Sequence, residues 1–188
     1  LNNIKLFPKL VITLGIVFAV LGVAAAGAGV YIRGFVGSQL TAQNIITPDD
    51  ASIPNAEVNS IATALSMAEI IQQHAARYTG DLTYAEMGRF AVESGDPAGT
   101  SNAEEALRDA NGNPVPNSAR DTQLTAAGLV TSLSLSAMAI GASYGIIALG
   151  IAFTVLGVVI AGLGYALLGL ITPEVAKRYG LQPVTETN

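Results

Sequence analysis

Charged, polar and apolar residues are distributed unevenly along this chain. Two long stretches carry no charge, and a region of amphipathic and turn-forming segments lies between them. From Leu10 to Ile32 the chain runs 23 residues without a charged side chain. About 20 apolar residues cross a hydrocarbon core of roughly 30 Å, so the pattern predicts a transmembrane helix over 10–32. No charged residue occurs between Asp121 and Glu174, and the most apolar part, GIIALGIAFTVLGVVIAGLGYALLGLI, predicts a second over 145–172. These spans delimit an N-terminal segment 1–9, an intervening region 33–144 and a tail 173–188.

The intervening region reads as helical. Pro48 and Pro54 punctuate TPDDASIPN as an extended linker. Beyond it Val58, Ile61, Leu65 and Ala68 recur at spacings of three and four, predicting an amphipathic helix from Asn55 to Arg77, ended by Thr79-Gly80. Thr83-Tyr-Ala-Glu86 and Ser101-Asn-Ala-Glu104 each match the capping box that opens a helix. Two short helices are therefore expected, stopped near Asp96-Pro97 and Asn113-Pro114. Leu124, Gly128, Thr131, Leu135 and Met138 follow helical spacing, with no strong breaker before the second span. One helix is thus predicted from Asp121 to Thr172, about 75 Å at 1.5 Å per residue, with the Asn55 helix packed against its first half. Strand alternation is nowhere sustained and no 20–50-residue repeat is evident. Only the residues after Pro183 read as disordered. The expected fold is an all-α membrane protein: two transmembrane helices and an external helical region, the second span continuing outward as a long helix.

Composition strengthens the membrane reading. Charged residues make up 12% of the chain and mean hydropathy is +0.48, whereas soluble domains run near 25% charged. Lys5 and Lys9 ahead of an apolar run, with Ala24-Ala25-Ala26 after it, also have the outline of a signal peptide. The first span is nevertheless read as a retained anchor. Lys5, Lys9, Lys177 and Arg178 lie on the terminal side of the spans, and Arg33 is the one basic residue close to a span on the other side. The positive-inside rule then places both termini in the cytoplasm and residues 33–144 outside a plasma membrane. Region 34–140 carries twelve acidic and four basic residues, but loops this long translocate largely regardless of charge. Phe7 and Tyr179 near the inner ends, with Tyr31 and Tyr144 near the outer ends, fit interfacial aromatic belts.

Absences bound the chemistry. With no cysteine and only His74, the chain has no disulfide, thiolate nucleophile or zinc knuckle, and cannot by itself supply two imidazoles to a metal. Neither span contains an ionisable residue, the usual mark of a proton relay or ion path. A net charge of −5 without a basic stripe speaks against nucleic acid. Asp109-x-Asn111-x-Asn113 has the alternating oxygens of a calcium loop, but Pro114 replaces the needed glycine and Arg120 the bidentate glutamate. It reads as a turn. His74, Asp49-Asp50 and Glu104-Glu105 read as surface groups.

The spans, by contrast, are built for close packing. Gly15, Ala19, Gly22, Ala26 and Gly29 recur in the first, and Gly150, Gly157, Ala161 and Gly164 in the second. Small residues let backbones approach so that dispersion contacts accumulate. These faces are expected to pack the spans together, to hold a larger membrane partner, or both. Three function classes follow: a non-catalytic accessory subunit, a two-span sensor signalling through a separate partner, and a membrane enzyme. Elimination favours the first, with no cofactor, no catalytic residues and no metal, and with membrane lipid and an integral membrane complex as its surroundings.

The order of features resembles the small two-span accessory subunits of the actinobacterial cytochrome bcc–aa3 respiratory supercomplex, the respiratory supercomplex association factors. The likeness is carried by VYIRGFVGSQLTAQNI, the linker ITPDDASIPN, the external region and GYALLGLITPEVAKR. It rests on layout rather than a diagnostic motif. It implies contact with the bcc complex or the aa3 oxidase, in association or stability rather than electron transfer.

Overall fold

The computed structural model describes residues 2–171, 178 and 180. Three helices follow in order: α1 (Asn2–Thr41), α2 (Ile61–Thr79) and α3 (Ser118–Ile171). No strand forms among the described residues, only isolated bridges. The molecule is all-α. Helices α1 and α3 are long and apolar enough to cross a membrane, with windows of mean hydropathy 2.5 and 2.7. Thr172, Lys177, Tyr179 and the rest of the tail except Arg178 and Gly180 lie outside the described residues, as do those after Pro183.

The chain divides into two compact units. One comprises Leu1–Gly34 with Ala142–Asn188, the other Phe35–Gly141. In the first, α1 and α3 run antiparallel with their smallest residues in contact and their large ones outward. Leu21, Val23, Leu149 and Val158 are all about 60% exposed, an arrangement compatible with a membrane protein whose outer surface meets lipid.

The second unit has an interior core. Helix α1 continues nine residues past Ile32 because Val36 and Leu40 pack into that core, and Asn44, with φ 51°, turns the chain out of the helix. The core joins Leu40 to Val58, Ala64 and Ala68 and to Leu133, Ala137 and Ile140 of α3. Helix α2 starts at Ile61, six residues later than its periodicity predicts. Residues 45–58 fold back instead: Thr47 N–H donates to Ala56 O at 2.9 Å and Val58 N–H to Ile45 O at 3.0 Å. The expected linker is therefore a compact loop. It is tied to α2 where Ile53 N–H and the Ser52 hydroxyl both donate to Ser66 Oγ. Ser60 caps α2, its hydroxyl accepting from Thr63 N–H while Thr63 Oγ1 accepts from Ser60 N–H. Gly80, with φ 64°, ends it, close to the expected stop.

The two short helices expected over 83–94 and 101–111 do not form. Glu86 does bond Thr83, through both backbone N–H and hydroxyl, but it closes one turn and nothing propagates. Long-range backbone pairing takes over: Phe90 and Thr100 exchange two bonds at 2.9 Å, and Leu107 N–H donates to Ala91 O at 2.8 Å. Two glycines make this possible. A Cβ on Gly88 would collide with the Thr100 backbone; Gly99 has φ 59° and is crowded by Phe90 O and Asn117 Nδ2. The second unit is thus one amphipathic helix, segments of α1 and α3, and a long hydrogen-bonded loop over 81–117.

Candidate partner interface

The nine small residues marked by sequence form, in large part, one intramolecular seam. A Cβ on Gly15 would lie 2.6 Å from Gly157 O, one on Gly22 2.6 Å from Gly150 O, and one on Gly29 2.8 Å from Ser143 O. From the other side Gly150 meets Ala26, Gly157 meets Ala19, and Gly164 meets Ile12 and Pro8; Ala161 faces Gly15. The contact positions 8, 15, 22 and 29 of α1 and 143, 150, 157 and 164 of α3 are all buried and fall seven residues apart, with Gly169 of α3 buried beyond them. That period keeps one face of each helix on the other over many turns. Phe18 and Phe153 meet edge to face at 5.7 Å beside the seam. Near one end of the same unit Arg33 Nε donates to the Tyr144 hydroxyl at 2.7 Å, its guanidinium 5.5 Å from the ring centroid. Since this face is covered within the chain, a partner needs another.

The stripe Leu124, Gly128, Thr131, Leu135, Met138 supplies one. Sequence spacing placed it on one face of the long helix without saying which face meets the Asn55 helix, and the structure turns it outward. All five residues are exposed, Leu135 by 64% and Met138 by 69%, and nothing lies within 4 Å of where a Gly128 Cβ would be. Helix α2 packs instead on the side of α3 carrying Leu133, Ala137 and Ile140. Both faces have helical spacing and both are apolar. Ala64 and Ala68 of α2 are buried in the same cluster as Ala137, where short side chains permit close approach.

Several polar groups in this unit are engaged structurally. Asp50 accepts from His74 Nε2 at 2.8 Å and lies 3.7 Å from the Arg77 guanidinium. The His74 hydrogen bond, followed by the charges of His74 and Arg77, holds the Asp50 carboxyl below its ordinary value. Asp109 accepts from Asn113 N–H at 2.8 Å and Asn111 N–H at 2.9 Å, closing the turn that ends at Pro114; these bonds lower its pKa. Glu86 is lowered in the same way by Thr83. No group of three or more His, Cys, Asp or Glu able to hold a metal occurs among the described residues. Buried Asn117 organises the start of α3: its amide donates to Gly88 O and Pro97 O and its Oδ1 accepts from Ala119 N–H. Arg120 stacks on Tyr84, 4.0 Å from the centroid, pinning the loop to the same helix end. Asn is a favoured N-cap residue, but with α3 expected only from Asp121, Asn117 lies outside the predicted helix start.

Comparison with known proteins finds no matching family model, no matching curated protein and no matching solved structure.

Proposed function

We propose that this protein is a non-catalytic accessory subunit of a larger membrane complex, which it binds through the outward face of α3. The observation that carries this reading is the uncharged stripe from Leu124 to Met138, on which Leu124, Leu135 and Met138 are each more than half exposed. An apolar helix face of this kind recruits a second apolar helix, read through anchors at spacings of three and four. The basic residues at the chain ends support cytoplasmic termini, with residues 33–144 outside. In that orientation the stripe stands in water, where hydrophobic association is strong. The resemblance in layout supplies the partner: the cytochrome bcc–aa3 respiratory assembly, held together or stabilised rather than supplied with electrons.

The test is copurification from native membranes in mild detergent with visible absorption spectroscopy. Haem bands should travel with the wild-type chain and be lost in the double variant Leu135→Lys, Met138→Lys. Leu65→Lys, a charge on an exposed α2 position, should leave them. A colourless wild-type preparation would sink the respiratory partner, and retained bands in the double variant would sink the stripe as the interface. Cysteines at Ser101 and at Thr187 test topology: an impermeant thiol reagent should label the first in intact cells and spare the second.

A further inference from the structure

The core of the second unit is open along one side. A groove of about 550 Å³ runs between the last turns of α1, the middle of α2 and α3. Val36, Leu40, Met67, Ile71, Leu129 and Leu133 form its floor, and Leu40 and Leu133 belong to the buried core cluster itself. Gln39, Gln43, Ser132 and Ser136 supply its polar groups, and no ionisable side chain lines it.

On α1 the seven-residue series of close contacts, 15, 22 and 29, continues to position 36, which is Val rather than Gly. On α3 the series 164, 157, 150 and 143 continues to Ser136 and Leu129. Val36 and Leu129 are larger than the glycines of the seam, and both line the groove. Helix α2 fills one side of the opening, and the groove is the other side.

We propose that this groove binds a single hydrocarbon chain of a membrane lipid, its headgroup lying outside at the amide and hydroxyl groups. Three observations select this occupant. The volume falls within the roughly 300–1,000 Å³ of clefts that take small ligands. The lining is apolar with a few uncharged hydrogen-bonding groups, the composition of sites for neutral, elongated ligands. The α1 wall begins at Phe35, two residues after Arg33 in the helix that forms the first apolar span, so lipid is the apolar molecule in constant supply. The assignment requires a membrane-resident chain but no particular protein partner.

The chain contains no tryptophan, so a single introduced indole reports one location. Leu129→Trp places it in the groove, and Gln72→Trp places it on an exposed α2 position. Full-length protein in a maltoside detergent is titrated with brominated phosphatidylcholine, whose bromines quench indole fluorescence on contact. The Leu129→Trp signal should fall saturably with one lipid per chain, while Gln72→Trp should change little. Adding Ser136→Phe to the Leu129→Trp chain should weaken the quenching constant roughly tenfold, about 1.4 kcal/mol. Native mass spectrometry of the unsubstituted chain should show one phospholipid adduct surviving detergent exchange. Equal quenching at both positions, a titration insensitive to Ser136→Phe, or no adduct on the unsubstituted chain would overturn the proposal.

Discussion

The two units use the same pair of helices in opposite ways. In the first, α1 and α3 put glycine and alanine inward and Leu, Val, Ile and Phe outward; Gly15 and Gly157 are buried while Val20 and Leu163 are about 60% exposed. In the second, the same helices turn Leu40, Leu133 and Ile140 inward, together with Val58, Ala64 and Ala68. The difference follows from the solvent each surface suits. Water drives large apolar side chains together, at about 25 cal/mol per Å² buried. Lipid offers no such drive, so association there depends on backbone proximity and dispersion, which small residues allow. One pair of helices therefore carries two packing codes, and the change falls near the residues that bound the units.

The largest effect should come from breaking the glycine seam. Gly22→Leu places a side chain against the backbone atoms of Thr154 and Gly150, and Gly157→Leu does the same to Ala19 and Gly15. Overpacking ordinarily costs about 1–3 kcal/mol, and here backbone must move, so about 3 kcal/mol or more is expected. Gly27→Leu and Gly162→Leu have nothing within 4 Å of the new Cβ and should leave thermal stability almost unchanged. Similar losses at all four positions would mean that the seam is not what holds the first unit together.

In the second unit the equivalent lesion is a cavity. Leu133→Ala empties a position only 6% exposed and should cost about 2–4 kcal/mol by denaturant titration. Leu135→Ala, two residues away and 64% exposed, should stay within about 0.5 kcal/mol while weakening recovery of the partner. If Leu135 proves as costly as Leu133 in the isolated chain, the division of α3 into a core face and a docking face is wrong.

A smaller effect is expected at the start of α3. Asn117→Ala removes the Ala119 cap and leaves Gly88 O and Pro97 O without their amide donor. A lost cap together with unsatisfied groups should cost about 2 kcal/mol. Hydrogen exchange should speed up over 88–117 well before the α1–α3 seam is affected; uniform loosening of both units would erase the contrast drawn here.

The smallest effect is the acid response of the 45–58 loop. The Asp50 carboxyl is depressed below 3.8 chiefly by its bond to His74, so its stabilising contribution is complete above that value. It is lost as pH falls through the lower, folded-state value. Both partners are about half exposed, so the change should be local and salt-sensitive. His74→Ala should raise the Asp50 titration midpoint toward its ordinary value, read by NMR of the carboxyl carbon. An unmoved midpoint would show that the contact does not persist in solution.

Much of this architecture is legible in the amino-acid order because it depends on local periodicity. Uncharged runs mark α1 and α3, the lack of a breaker keeps α3 continuous over 54 residues, and glycine and alanine at alternating spacings of four and three mark a contact face. What the order of residues leaves open is which of two equivalent faces meets which neighbour. Leu124, Leu135 and Met138 match helical spacing as well as Leu133, Ala137 and Ile140 do, and only the presence of α2 on one side separates them. The same limit applies at Thr83 and Ser101. Their capping patterns are local and genuine, but backbone pairing of Phe90 with Thr100, and the close approaches that Gly88 and Gly99 permit, are long-range contacts that no window along the chain contains. Periodicity is a property of one helix, whereas a groove, a buried Asn117 or an exposed stripe is a property of several elements at once. Those features were decided by tertiary structure alone.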